Sequence, residues 1–382
     1  MDYSLAFFDP ERWNAVPFHF WTITFFIWGT IVGSFLNVCI YRLPIGESIV
    51  SPPSHCPHCK YHIPWYLNMP IITWIVLRGK CANCKAPISS RYILVETLTG
   101  VLFALSWLCV GKASPILAVI YVMVISGLIV ASFIDFEHFI IPDGLTIGGI
   151  VIGFILSILC PVLHQSYSAK VSLEASILGI AVGGGGLYLI SRLGKLAFGR
   201  YKLPIDPGDK AVFTEETLTL GGESIPYSEV FYRSSDYILV EKATSVSLTF
   251  NDNQPEQRLE NVRVYLTPKK LKIDKQEWEP KQIRRMELET PEMLMPREVM
   301  GLGDVKLMAA VGAFFGWQSV IFTLFASSLI GSVVGIILIC LKKQELSSRL
   351  PYGPYIAMGT ILWMLGGFYY VTKWIQDMGL FI

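Results

Sequence analysis

The chain has 382 residues, 52% of them apolar and 16% charged, with a mean hydropathy of +0.49, a balance foreign to soluble domains. Its 31 Lys and Arg nearly cancel 30 Asp and Glu, so no excess charge exists to draw in nucleic acid or an anionic surface. Disorder, collagen and a small disulfide scaffold are excluded as well, and the chain reads as a polytopic α-helical membrane protein.

The tail before the first apolar run carries Asp2, Asp9 and Glu11 against Arg12. It has no basic start and no small-residue cleavage site, so the first span reads as retained, not as a removed signal peptide. A crossing needs about 20 apolar residues. Candidates are 18–41, 92–110, 116–134, 145–163 and 173–193, then 305–315, 319–341 and 352–374, which makes eight crossings. The loop 42–91 holds Arg42, Lys60, Arg78, Lys80, Lys85 and Arg91 against Glu47 alone, which places it on the cytoplasmic side. Counting from there puts 135–144, the connection after the fifth span and the Lys342, Lys343, Arg349 turn on that side too.

Within that loop, Cys56, Cys59, Cys81 and Cys84 form two Cys-x-x-Cys pairs 21 residues apart. This spacing offers four thiolates to one tetrahedral Zn2+. Redox pairs or disulfides are the rival reading, and a reducing compartment disfavours them. A closed four-sulfur site has no open position, so the zinc would be structural. Lys60 and Lys85 follow the pairs and would help keep the thiolates ionised; His55, His58 and His62 crowd the first pair and are expected around the ligand set, with replacement of one ligand the alternative.

Ionisable residues in spans are costly and mark function by default. Glu96 lies one turn into the second span, where pairing with a cation such as Lys306 would lower its cost. Asn37 reads as interhelical glue. Asp135 closes the third span, followed by Pro142 and Asp143, which read as a cap or turn for the fourth. The glycines 183–186 read as close helix packing, since no Lys-Ser/Thr follows to make a phosphate loop.

Residues 195–298 hold 34 of the 61 charged side chains. Their short alternating runs at 211–220, 237–240, 246–250 and 262–266 are broken by Gly221-Gly222, Ser234-Ser235 and Asn251-Asp252-Asn253, which predicts a small β-rich domain at 201–296. After it come Gly301, Gly303, Asp304 and Lys306, at the start of the sixth span. The expected organisation is therefore 1–41, a tail and first helix; 42–91, the zinc loop; 92–200, helices two to five; 201–296, the insert; and 297–382, helices six to eight.

Counting crossings puts Asp135 and Asp304 at one membrane depth on one side. Paired carboxylates suit peptide hydrolysis by activated water, one accepting a proton while its protonated partner polarises the carbonyl. Gly301 and Gly303 would let backbone approach a substrate strand closely. Two other readings stay open: a proton- or ion-coupled transporter using the same carboxylates, against which stands the lack of an evident inverted repeat, and a zinc-stabilised scaffold whose aspartates cap helices.

The motifs in their order resemble the type IV prepilin peptidases. They are Gly33-Ser34-Phe35-Leu36-Asn37, the four-cysteine loop, Arg91-Tyr92 leading to Glu96, Ile134-Asp135 through Ile141-Pro142-Asp143, Gly301-Leu302-Gly303-Asp304-Val305-Lys306, and Pro351-Tyr352-Gly353-Pro354-Tyr355. The resemblance implies a bacterial inner-membrane enzyme facing the cytoplasm. It implies cleavage of prepilin or pseudopilin leaders with Asp135 and Asp304 as the catalytic pair, then N-methylation of the new terminus with S-adenosylmethionine. Methyl transfer is associated in that family with the cysteine loop, and nothing here resembles a Rossmann-type cofactor loop from which to assign its residues. Family members typically have a shorter fifth-to-sixth connection, so the insert is expected to be a lid, a docking surface for pilus or secretion assembly machinery, or inert decoration.

Overall fold

The computed structural model describes residues 10–206, 208–231, 236–251, 255–296, 300–341 and 350–377. The expected turns at Ser234-Ser235 and Asp252-Asn253, the Lys342, Lys343 and Arg349 turn and the acidic tail at Asp2 and Asp9 lie outside them. By internal contacts the chain divides into a helical unit, Met1–Leu187 with Leu302–Ile382, and a second unit, Tyr188–Gly301.

The helical unit starts with α1 (Pro10–Asn14), α2 (Phe18–Arg42) and the short α3 (Ile72–Val76). Next come α4 (Arg91–Ser106), continued by a π-turn at Trp107–Gly111, α5 (Pro115–His138) and α6 (Asp143–Leu159). Helix α7 (Ala169–Ile180) passes through a π-turn, Ala181–Gly186, into α8 (Leu187–Phe198), whose residues from Tyr188 on count with the second unit. Last are α10 (Leu302–Cys340), α11 (Gly353–Leu362) and α12 (Phe368–Asp377), and a one-turn α9 (Tyr227–Val230) belongs to the second unit. Among the described residues, five helices are long and apolar enough to cross a membrane: His19–Arg42, Arg91–Gly111, Pro115–His138, Ala169–Lys195 and Leu302–Cys340; Asp143–Leu159 is apolar but shorter.

Local chemistry sets the ends. Ser114 caps α5 by accepting the Leu117 N–H, with Pro115 in the first turn, and Phe139 ends the helix in the left-handed conformation. The 39-residue α10 is not one rod, because Gly316 sits at φ 78°, ψ 178°, a backbone state that side chains disfavour. The break falls where the sequence separates its sixth and seventh spans.

Small residues let the helices close on one another, as expected where lipid supplies no hydrophobic drive. Gly29 and Gly33 of α2 lie against Gly100 and Glu96 of α4, and Gly183 lies against Met308 of α10. Ser176 donates to the Ala313 carbonyl at 2.9 Å. The closest approach joins α7 to α10, where a Cβ on Gly179 would collide with the Gly312 carbonyl oxygen. Gly179→Val should force the two helices apart, at a cost of at least about 1–3 kcal/mol. A lowered melting temperature in detergent would show it, whereas Gly185→Ala, whose Cβ meets nothing within 4 Å, should leave melting unchanged.

The second unit is antiparallel β. Its strands are β1 (Arg200–Pro204), β2 (Ala211–Phe213), β3 (Thr217–Leu220), β4 (Glu223–Pro226), β5 (Ile238–Phe250), β6 (Gln257–Leu266), β7 (Leu271–Ile273), β8 (Gln276–Trp278), β9 (Ile283–Glu289) and β10 (Glu292–Pro296). They run in the order β4-β3-β2-β9-β5-β6-β7-β8, with β10 joining β1 to β5. Leu218, Ile238, Leu248, Leu271, Ile273, Met286 and Leu288 are the heart of its core. Gly221 and Gly222, both at positive φ, close the β3–β4 hairpin between paired Leu220 and Glu223, the two-residue turn that needs left-handed backbone twice.

Two strand boundaries differ from the sequence reading. The run 211–220 divides because the Thr214 hydroxyl takes the Thr217 N–H at 3.1 Å, a side-chain-made turn that hydropathy does not reveal. Conversely, the runs expected at 237–240 and 246–250 fall, from Ile238 on, in one strand, β5, whose pairing with β6 shifts register between Val240 and Ala243. The bulge lets the strand run on through 241–245, which the alternating runs left unassigned.

Candidate functional site

Asp135 opens the last turn of α5 and is buried. Its Oδ2 accepts the backbone N–H of Gly353, the first residue of α11, at 2.8 Å. A Cβ at Gly353 would stand 2.8 Å from that same oxygen, so the contact exists because the residue has no side chain. Asp304 is half-buried in the first turn of α10. Both neighbours of Asp304 that the sequence singles out reach the α5–α6 connection: Gly303 lies against Ile141, and Lys306 Nζ bonds Asp143 Oδ1 at 2.6 Å. The start of α10 and the end of α5 therefore occupy the same end of the helical unit, each bearing one aspartate. Gly301 is exposed and precedes the helix.

Three expectations change. Asp143 is the first residue of α6, with Pro142 before it and no side-chain cap; its carboxylate is spent on Lys306 instead. Asp304 is likewise inside its helix, which starts at Leu302, so neither residue is an N-cap. Glu96 does not pair with Lys306. Its Oε2 accepts the Ile71 N–H at 2.7 Å, tying buried Glu96 to the cysteine loop. Asn37 does bridge helices, donating to the Tyr92 carbonyl at 3.3 Å.

The functional contacts that the sequence does not announce are backbone ones, Gly353 to Asp135 and Ile71 to Glu96. The first has a signal in hindsight, a Gly-Pro at the start of an apolar run, which is the sequence of a helix N-terminus with an N–H left to give. The ion pair of Arg91 with Glu137 also goes unannounced, because its members are 46 positions apart.

The four cysteines converge. Their sulfurs all lie within 4.8 Å of one another, with Cys56 to Cys84 at 3.8 Å and Cys59 to Cys81 at 4.0 Å. These are free thiols, and sulfurs bound tetrahedrally at about 2.3 Å from one zinc would stand about 3.8 Å apart. The donor set fits such an ion. Two matching knuckles supply it: Lys60 N–H returns to the Cys56 carbonyl at 2.9 Å and Lys85 N–H to Cys81 at 3.1 Å, with both lysines at positive φ.

The lysines thus serve the turn, and the sulfur charge is met by amides. The Tyr61 backbone N–H first, with the Asn83 side chain assisting, holds the Cys59 thiol down to about 6. The Cys84 and Asn83 backbone N–H groups lower Cys81. Such donors favour the thiolate at Cys59 and Cys81, whereas at Cys84 the Ala86 backbone N–H is outweighed by burial and the neighbouring sulfurs, which push its thiol up to about 11.

Comparison with known proteins agrees with the two halves of this arrangement. Residues 27–110 match the bacterial peptidase A24 N-terminal domain, and residues 122–205 with 283–336 match the type IV leader peptidase family. A type 4 prepilin-like proteins leader peptide-processing enzyme of Escherichia coli is 34% identical over 217 residues, covering 52% of this chain and 76% of its own. This chain belongs to the type IV leader peptidase family.

The prepilin leader peptidase/N-methyltransferase of Stutzerimonas stutzeri is 26% identical over 91% of both chains, and that of Aeromonas hydrophila is 26% identical over 95% of this chain and 96% of its own. No solved structure matches. The first family match takes in the cysteines and Glu96; the second takes in Asp135, Asp143, Gly301, Gly303, Asp304 and Lys306. It is interrupted between 205 and 283, where strands β2 to β8 lie. The molecule is a multi-pass membrane protein of a bacterial family.

Proposed function

We propose that this protein is a membrane aspartic endopeptidase that cleaves the leader of type IV prepilins or secretion pseudopilins at the cytoplasmic face, with Asp135 and Asp304 as its catalytic pair, and then N-methylates the new terminus. The observation that carries the reading is the meeting of the α5 end and the α10 start, which brings both carboxylates to one end of the helical unit. The excess of basic residues in 42–91, with the crossings counted from that loop, supports the cytoplasmic face.

In this mechanism Asp135 is the base. Its Oδ2 is held by the Gly353 N–H, at the positive end of α11, and Oδ1 takes a proton from the attacking water. Protonated Asp304 donates to the scissile carbonyl and stabilises the oxyanion; the leaving amine recovers the proton. Exposed Phe136, Phe139, Ile140 and Leu302 flank the two aspartates and offer an apolar surface to the hydrophobic segment that follows a leader. Cys56, Cys59, Cys81 and Cys84 would hold a structural zinc, and S-adenosylmethionine would supply the methyl group.

Purified protein with a prepilin peptide, with and without S-adenosylmethionine, tests the reading by mass. The expected products are a peptide lacking its leader and, with the donor, that peptide one methyl heavier; an unchanged peptide in both reactions would overturn it. A sharper expectation concerns Gly353. Gly353→Ala intrudes on Asp135 Oδ2, and displacing a catalytic group by about 1 Å costs on the order of 10²-fold. The fall should appear in kcat for cleavage with KM unchanged, while methylation of an already cleaved peptide persists and reports an intact fold.

A further inference from the structure

The span Arg91–Gly111 has 21 residues, about 31 Å of helix at 1.5 Å per residue, which equals the roughly 30 Å of a bilayer's hydrocarbon core. A bilayer matched to this length has its edges at the two ends of the helix. Arg91, paired with Glu137 at the end of α5, stands at the cytoplasmic one. Glu96 lies five residues deeper, about 7 Å along the axis, and helical side chains lean back toward the N-terminus. Because Glu96 Oε2 holds the Ile71 N–H, Ile71 sits at the level of the membrane surface, not in water above it.

What surrounds Ile71 is apolar and faces outward. Trp65 is 83% exposed and Val76 73%, and Tyr66, Met69, Ile72 and Ile75 are exposed between them. A tight turn reverses the chain there: Ile71 has φ 61° and ψ −55°, and the Ile72 N–H returns to the Pro70 carbonyl, the rare positive-φ γ-turn. Basic Arg78 and Lys80 follow directly.

We propose that 65–76 is an interfacial anchor, with Ile72, Ile75 and Val76 immersed at the boundary between headgroups and acyl chains. Trp65 and Tyr66 occupy the belt that amphipathic rings favour, and Arg78 and Lys80 meet anionic headgroups. The occupant of this surface is lipid, because the Glu96 contact fixes the segment's depth and the basic pair Arg78 and Lys80 beside its exposed apolar side chains complements anionic headgroups. The cysteine loop is then a membrane-docked body. This inference is independent of the peptidase chemistry.

Full-length protein carrying p-benzoylphenylalanine at Ile75, or in a second preparation at Val76, is reconstituted in vesicles of phosphatidylethanolamine and phosphatidylglycerol and irradiated. Phospholipid adducts are expected from both positions, as from lipid-facing Leu94 on α4, and none from exposed Lys60 on the first cysteine knuckle. A label at Tyr66 repeats the measurement at the other end of the segment, so one misfolded preparation cannot decide the result. Adducts at Leu94 but none at positions 66, 75 and 76 would overturn the proposal. So would adducts there only with a second copy of the chain or with added prepilin peptide, since either would make the surface a protein interface.

Discussion

Asp135→Asn and Asp304→Asn should each abolish leader cleavage, lowering kcat by about 10²–10⁴-fold, the usual contribution of a positioned acid or base. The exchange at 135 is a clean chemical test, because the amide oxygen of Asn can still accept the Gly353 N–H and the end of α5 need not move. The double variant should be little worse than either single one, since groups acting on one water and one carbonyl fail together. Glu174→Gln, at an exposed surface pair with Lys170 on α7, should leave the rate unchanged because such pairs contribute only about 0–1 kcal/mol. Initial rates on a prepilin peptide decide the matter. Normal cleavage by both single variants would remove the aspartates from the mechanism.

The second large effect is expected at the cysteines. Across 50–90 only Cys56, Gly79 and Cys81 are buried, so the knuckles have no apolar core of their own. Structural zinc in small finger peptides contributes on the order of 10–16 kcal/mol at neutral pH, as much as the whole stability of an ordinary domain. Replacing Cys56 and Cys81 together with Ser should release the metal and open the loop to trypsin at Lys60, Arg78, Lys80 and Lys85. Methyl transfer should fall further than cleavage, because the aspartates stand on α5 and α10, outside the loop. Metal analysis finding no zinc in the unaltered protein would refute this account.

Much of the site was legible because costly residues announce themselves. A carboxylate at the end of an apolar run and four thiols at finger spacing stand out against 52% apolar residues, and their order along the chain carried the family resemblance. The partners of those groups were not legible. Lys306 meets Asp143, not Glu96, since which acid a cation finds depends on how helix ends dock. Glu96 and Asp135 are both met by backbone N–H groups, which every residue but proline owns and no motif spells. In the β unit, turns made by two glycines were visible, whereas one made by a threonine hydroxyl was not. Alternation could not foresee that β5 runs on through a bulge.

The antiparallel pairing of β1 with β10 sets Arg200 opposite Pro296 and carries on to Pro204 opposite Glu292. Chain enters and leaves this module along neighbouring strands, about 5 Å apart. The 97 residues from Arg200 to Pro296 are therefore spliced into the chain ahead of Asp304 through a single pair of strands.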